Sequence, residues 1–87
     1  MKIVLHKNFE KQYAKLRPNE KKRFKARRDI FLISPYHRIL NNHPLQGTYK
    51  GYRSINVGGD LRVIYKLLDE NTAYFVVIDT HSNLYAS

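Results

Sequence analysis

Apolar residues recur along the chain with two different periods, and the change of period divides it into elements. Residues 2–6 alternate weakly, Ile3 and Leu5 against Lys2, Val4 and His6, which predicts a short strand. Phe9, Tyr13 and Leu16 then recur at i, i+4 and i+7 among Glu10, Lys11, Gln12 and Lys15. That is one apolar stripe of a helix, with Asn8 placed to cap it. Arg17-Pro18-Asn19 interrupts the stripe, and Pro18 suits the first turn of a second helix over residues 19–33. Phe24, Arg27 and Phe31, with Ile30 alongside, form its inner stripe, while Lys21, Lys22, Lys25 and Arg28 cover its outer face. Ser34-Pro35 ends it, because a residue before proline is driven out of helical geometry.

Residues 34–47 show no period and read as a long irregular connection. Beyond it the period falls to two. Residues 48–57, 61–68 and 72–80 read as strands joined by turns at Gly58-Gly59 and Asp69-Glu70-Asn71. The last of them is apolar on both faces, which suits a central strand. A two-residue loop at Gly58-Gly59 would pair Ile55 with Arg62 and mix polar with apolar on one face. A three-residue loop that includes Asp60 pairs Val57 with Leu61, Ile55 with Val63 and Arg53 with Tyr65, which separates the two kinds. Val57, Ile55, Leu61, Val63, Tyr65 and Leu67 then share one face. Tyr52, Ser54, Asn56, Arg62, Ile64 and Lys66 share the other, with Asn56 beside Arg62 and Asp60 at the rim. The expected architecture is α+β: an N-terminal strand and a two-helix hairpin packed on the apolar face of a small antiparallel sheet.

Composition narrows the class. Eighty-seven residues, 43% of them hydrophobic, make one small globular domain spanning 1–87. With no cysteine there is no disulfide framework and no thiolate metal site. No apolar run is long enough to span a membrane or to form a signal sequence, so a cytoplasmic protein without a membrane partner is expected. The net charge of +9 resides entirely in residues 1–40, which hold twelve Lys and Arg against Glu10, Glu20 and Asp29. Residues 41–87 hold four charges of each sign. A one-sided basic field of that size points to a polyanionic partner.

Residues 41–66 concentrate the polar chemistry and contain all four glycines. His43 precedes Pro44, and His81 follows the last strand, so two imidazoles flank a sheet face that carries Asp60 and Arg62. Imidazoles exchange protons near neutral pH, and an arginine supplies fixed positive charge for a phosphate. This set, without a metal or other cofactor, is what cleavage of RNA by its own 2′-hydroxyl requires. One group takes the 2′-OH proton, another protonates the leaving 5′-oxygen, and a cation stabilises the phosphorane. A zinc site of His43, Asp60, Asp79 and His81 lacks helical ligand spacing and thiolates. A nucleophilic Ser54 or Ser82 lacks an elbow motif. Tyr49, Tyr52 and Tyr85 could stack on bases or pack at the sheet edge.

His43-Pro44-Leu45-Gln46-Gly47-x-x-Lys50-Gly51-Tyr52-Arg53, then Val57-x-x-Asp60-x-x-x-Ile64-Tyr65-Lys66-Leu67, ending Thr80-His81-x-x-Leu84-Tyr85, resembles the YafQ-like branch of the RelE/ParE toxin superfamily. Over residues 1–40 only length, basic character and element order match. The resemblance implies a RelE-like fold and the toxin of a type II toxin–antitoxin pair, a ribosome-dependent mRNA endoribonuclease that inhibits translation. It matches His43, Asp60 and His81 to family catalytic residues, and Tyr85 to an aromatic position near the end. His81 would be the general acid, and His43 or Asp60 the base. Arg62, with Lys50 or Arg53, would hold phosphate, Asn56 beside them would also contact the RNA, and Tyr85 would contact a base. Lys21, Lys22, Lys25 and Arg28 would dock on ribosomal RNA, and an acidic antitoxin would form a hetero-oligomer covering the site. Asn56 stands where the pattern has a histidine, and Leu61 where it often has tryptophan. The first change removes one proton carrier, and Arg62 beside it could supply the charge. The alternatives are a ParE-like inhibitor of gyrase and a homologue that binds antitoxin or ribosome without cleaving.

Overall fold

The computed structural model describes residues 1–85, without the side chain of Tyr85. Over these residues the chain runs β1 (Lys2–Leu5), α1 (Lys7–Ala14), α2 (Pro18–Ile33), β2 (His43–Pro44), β3 (Arg53–Asn56), β4 (Leu61–Asp69), β5 (Thr72–Thr80) and α3 (His81–Tyr85). The strands form one sheet in the order β1-β5-β4-β3-β2, antiparallel except where β1 runs parallel to β5. β5 is an interior strand, as its two apolar faces require.

The β3–β4 hairpin follows the three-residue turn. Val57 and Leu61 bracket Gly58-Gly59-Asp60, Ile55 pairs with Val63 and Asn56 with Arg62. The inward set Ile55, Val57, Leu61, Val63 and Tyr65 meets Phe75 from β5, Phe9 from α1, and Phe24 and Phe31 from α2. The Phe31 ring packs edge-on against Tyr65 and Phe75 at 5.1 and 5.4 Å between centroids, and the Tyr65 and Phe75 rings are tilted at 5.8 Å. Arg27 sits on the inner stripe for a polar reason: its Nη1 donates to the carbonyls of Ile39 and Asn56, tying α2 to the hairpin. β1 covers the edge of β5 only as far as Phe75, and beyond it Gln12 of α1 accepts from the amide of Ile78.

Several expectations need correction. The cap of α1 is His6 rather than Asn8: the His6 ring accepts from the Asn8 amide at 2.9 Å, so the helix starts two residues earlier, at Lys7. Residues 48–52 are not strand, because Gly47–Tyr49 winds into a 3₁₀ turn and Gly51 at φ +92° redirects the chain. The connection over 34–47 is not wholly irregular. A 3₁₀ turn at Arg38–Leu40 drives Leu40 into the core, and β2 pairs with β3. Leu67 is not inward but 45% exposed, since an irregularity between Leu67 and Asp69 breaks the pairing beyond the reach of the helices. The second sheet face is polar only in part. Leu45, Ile64 and Val77 form a small apolar cluster on it, with Tyr49, Tyr52 and Leu84 packed around. None of the described helices is long and apolar enough to cross a membrane.

Gly58 is where α2 meets the hairpin turn. At φ +120°, an added Cβ would lie 2.8 Å from Cδ of Arg23. Gly51 also has positive φ, but nothing lies within 4 Å of its missing Cβ. Gly58→Ala is therefore expected to destabilise the fold by about 2–3 kcal/mol and Gly51→Ala by about 1 kcal/mol, measured by urea unfolding. Equal losses would mean that Arg23 moves aside without cost.

Candidate active site

The hairpin register turns Ser54 and Arg62 away from the helices, onto the face that β2 borders. There Asn41, His43, Leu45, Ser54, Arg62 and His81 line a groove of about 390 Å³. Residues from three separate stretches meet in it: segment 41–45 around β2, the β3–β4 hairpin and the start of α3.

His43 is oriented by its own loop. Asn41 adopts the left-handed conformation (φ 46°), one that asparagine tolerates better than most residues, and its carbonyl comes back to 2.7 Å from Nδ1 of His43. A carbonyl oxygen can only accept, so Nδ1 carries the proton and the neutral ring presents Nε2 as a lone pair. Arg62 is held by Nη1, which donates to the carbonyls of Gly59 at 3.0 Å and Leu61 at 3.1 Å. Those two bonds leave Nε and Nη2 of its guanidinium outside the contact with the turn. His81 opens α3, and its amide donates to the carbonyl of Asp60 at 2.7 Å. The Asp60 carboxylate also accepts from the Ser82 hydroxyl at 3.2 Å. Asp60 thus fastens α3 to the hairpin turn and does not itself line the groove. Ser54, 1% exposed and opposite His43 in the sheet, has an Oγ with no partner among the described residues. A buried hydroxyl without a partner costs free energy that a bound polar group would recover.

The remaining predicted residues lie elsewhere. Asn56 uses its side-chain oxygen on the amide of Gly58 at 2.8 Å, which stabilises the turn. Lys50 is exposed after the 3₁₀ turn, outside the groove. Arg53 points to the helical side, where Nε donates to Asn42 at 2.7 Å and the guanidinium lies 5.3 Å from the Tyr36 ring centre. Lys21 covers the ring of Tyr13, Arg28 pairs with Asp29 at 3.1 Å, and Lys22 and Lys25 are exposed. All four are on α2, across the sheet from the groove. The side chain of Tyr85 lies outside the described residues. Among those described, no cluster of three His, Cys, Asp or Glu side chains is placed to hold a metal ion. Asn41 and Leu45 are the groove residues that sequence reasoning did not single out for the site, while Ser54 was placed on the open face and weighed only as a nucleophile. The signal for Ser54 was its position opposite His43, which only the pairing of β2 reveals.

The segment leading into β2 is anchored from below. Asn42 donates to the carbonyl of Pro35 at 2.9 Å and to the Tyr65 hydroxyl at 2.7 Å while accepting from Arg53. Burial pushes the Tyr65 phenol above the ordinary tyrosine range, partly opposed by the Asn42 hydrogen bond. A raised pKa means that folding favours the neutral phenol. Its contribution is complete below the unfolded value and is lost as pH climbs through the folded one. Stability is therefore expected to fall above about pH 10, and Tyr65→Phe to flatten that alkaline limb in urea titrations run from about pH 9 to about pH 11. An unchanged slope would remove Tyr65 as its source.

A family model described as bacterial toxin of type II toxin-antitoxin system, YafQ, matches residues 1–86. The mRNA interferase toxin YafQ of Escherichia coli is 41% identical over 51 residues, a stretch covering 59% of this chain and 54% of that protein. The chain thus matches about half the length of that curated relative. Among solved structures, the E. coli DinJ-YafQ complex contains a chain 28% identical, with 97% of each chain covered and a TM-score of 0.64. A YoeB/ParE toxin from Agrobacterium tumefaciens superposes with a TM-score of 0.76 over 93% of this chain and 99% of its own. At 16% identity that likeness speaks for the fold alone.

Proposed function

The chain belongs to the YafQ family of bacterial type II toxins, and from that premise we propose that it is an endoribonuclease that cuts mRNA on the ribosome by metal-free acid–base catalysis. The observation that carries the reading is the convergence of His43, Arg62 and His81 on one groove, with the His43 ring fixed through Nδ1.

In this mechanism Nε2 of His43 takes the proton from a 2′-hydroxyl. The 2′-oxygen attacks the adjacent phosphorus, and His81 protonates the departing 5′-oxygen. The products are a 2′,3′-cyclic phosphate and a 5′-hydroxyl. The N–H groups of Arg62 not used on the turn face the charge that accumulates on the phosphorane. The sequence left His43 and Asp60 as equal candidates for the base. The groove geometry favours His43, because the Asp60 carboxylate is engaged with Ser82. Asp60 is then a positioning residue that holds His81 in place through the hairpin turn. The Ser54 hydroxyl on the groove wall would meet a phosphate or ribose oxygen. An acidic antitoxin is the proposed protein partner, supported by the DinJ-YafQ complex among the similar structures.

The deciding experiment induces the wild type and His81→Ala in cells and maps mRNA 5′ ends by primer extension. Cuts within translated codons are expected only from the wild type. His43→Ala and His81→Ala should each lower the cleavage rate about 10²–10⁴-fold. Growth arrest retained by His81→Ala with intact mRNA would replace this reading with inhibition by binding. The basic face of α2 has a separate signature. Lys22 and Lys25 are exposed, and changing both to Gln should reduce the slope of log K against log salt for ribosome binding by about 1–2. An unchanged slope would place the ribosomal contact elsewhere.

A further inference from the structure

The groove-bearing sheet face carries a second cleft, of about 420 Å³, whose lining includes His6, Thr48, Tyr49, Tyr52, Tyr74 and Val77. Its rings come from three distant parts of the chain: the β1–α1 junction, the 3₁₀ turn with the residues after it, and β5. Tyr49 and Tyr52 stand edge to face at 6.1 Å, and the His6 and Tyr74 rings lie 5.6 Å apart at a tilt of 51°. All four are half-buried rather than buried, so their rings are not spent in closing a core. The cleft is continuous with the site in one respect. Val77 on its wall packs with Leu45 and Ile64, and Leu45 also lines the His43–His81 groove.

The polar groups favour a planar, hydrogen-bonding, anionic guest. His6 accepts the Asn8 amide on Nδ1, so its Nε2 carries the proton of the neutral ring and is a donor. Lys66 lines not this cleft but the cavity next to it, which shares Tyr52 with it, and its ammonium lies 5.3 Å from the centre of the Tyr52 ring. No carboxylate lines the cleft among the described residues. Aromatic side chains beside a cation are the standard means of holding single-stranded nucleic acid, because every base has a π-face and every nucleotide a phosphate. We propose that this cleft is a nucleobase subsite, taking one unpaired base of the RNA strand whose scissile phosphate lies in the neighbouring groove. The proposal rests on the RNA-cleaving reading and adds a second contact with the strand. The base stacks on a tyrosine ring, Lys66 meets the adjoining phosphate, and the His6 Nε2–H and Thr48 hydroxyl meet the base edge.

The test uses the full chain and a short, fluorescently labelled 2′-O-methyl RNA, which cannot be cleaved because its 2′-oxygen is blocked. Anisotropy gives its affinity and that of the same oligomer carrying one abasic position at each site in turn. Abasic replacement at one position is expected to weaken binding about tenfold. Tyr49→Leu and Tyr74→Leu should each weaken the base-bearing oligomer about fivefold or more and abolish the difference from the abasic one. Tyr49→Phe and Tyr74→Phe, which keep the ring, should bind as the wild type does. Circular dichroism and a melting curve establish that the leucine variants fold. Folded leucine variants with unchanged affinity would overturn the proposal, as would wild-type protein that does not distinguish base from abasic site. Leucine variants that keep the oligomer but lose an acidic amphipathic peptide would overturn it in favour of a protein partner. Primer extension judges cleavage independently, so loss of the nuclease reading and loss of the subsite are separately visible.

Discussion

A slip of one residue between β3 and β4 would turn Arg62 toward Phe24 and Phe31 and place Val63 in the groove. Side chains alternate strictly along a strand, so register is an all-or-none choice between two faces. The three-residue turn Gly58-Gly59-Asp60 makes that choice. It needs two consecutive left-handed residues, at φ +120° and +55°, and glycine supplies both. Arg23 packing over Gly58 and Arg27 bonding to the Asn56 carbonyl hold the turn against α2. The apolar core and the groove are thus two consequences of one turn.

The same turn determines where the two histidines sit. Asp60, its third residue, bonds to the His81 amide and to Ser82, so α3 is hung on the hairpin end. β2 is only two residues long, yet it pairs His43 with Ser54 and so reaches the same face. Both imidazoles are carried on short elements, β2 and α3, anchored to a rigid hairpin, and this is how small peripheral pieces hold chemistry without losing geometry. The basic face of α2 lies across the sheet from them. Charge and candidate chemistry are on opposite sides, so a large polyanion contacting both must wrap the molecule rather than dock on one face.

Much of this was legible in the chain. The helical stripe of Phe24 and Phe31 and the alternation of Ile55, Val57, Leu61, Val63 and Tyr65 each repeat with the period of their element, and burial followed. Glycine pairing with hydrophobic alternation gave the hairpin register, because only one register separates polar from apolar. Where the pattern was short or misleading, inference failed. Residues 48–52 alternate by accident but form a turn, and His6 displaced Asn8 as a cap through a ring nitrogen that cap preferences do not emphasise.

By itself the sequence determined the α+β architecture, the asymmetry of charge and the candidate residues His43, Asp60, Arg62 and His81, since each follows from local periodicity or residue chemistry. Only the tertiary structure decided which of them meet. Asp60 became a brace, Asn56 a turn lock and Arg53 an anchor on the far side, while Ser54 and Asn41 entered the groove. These outcomes depend on hydrogen bonds between residues far apart in the chain, or on a loop's return to the sheet. No pattern of neighbouring residues encodes such contacts, because their geometry exists only once the layers have packed.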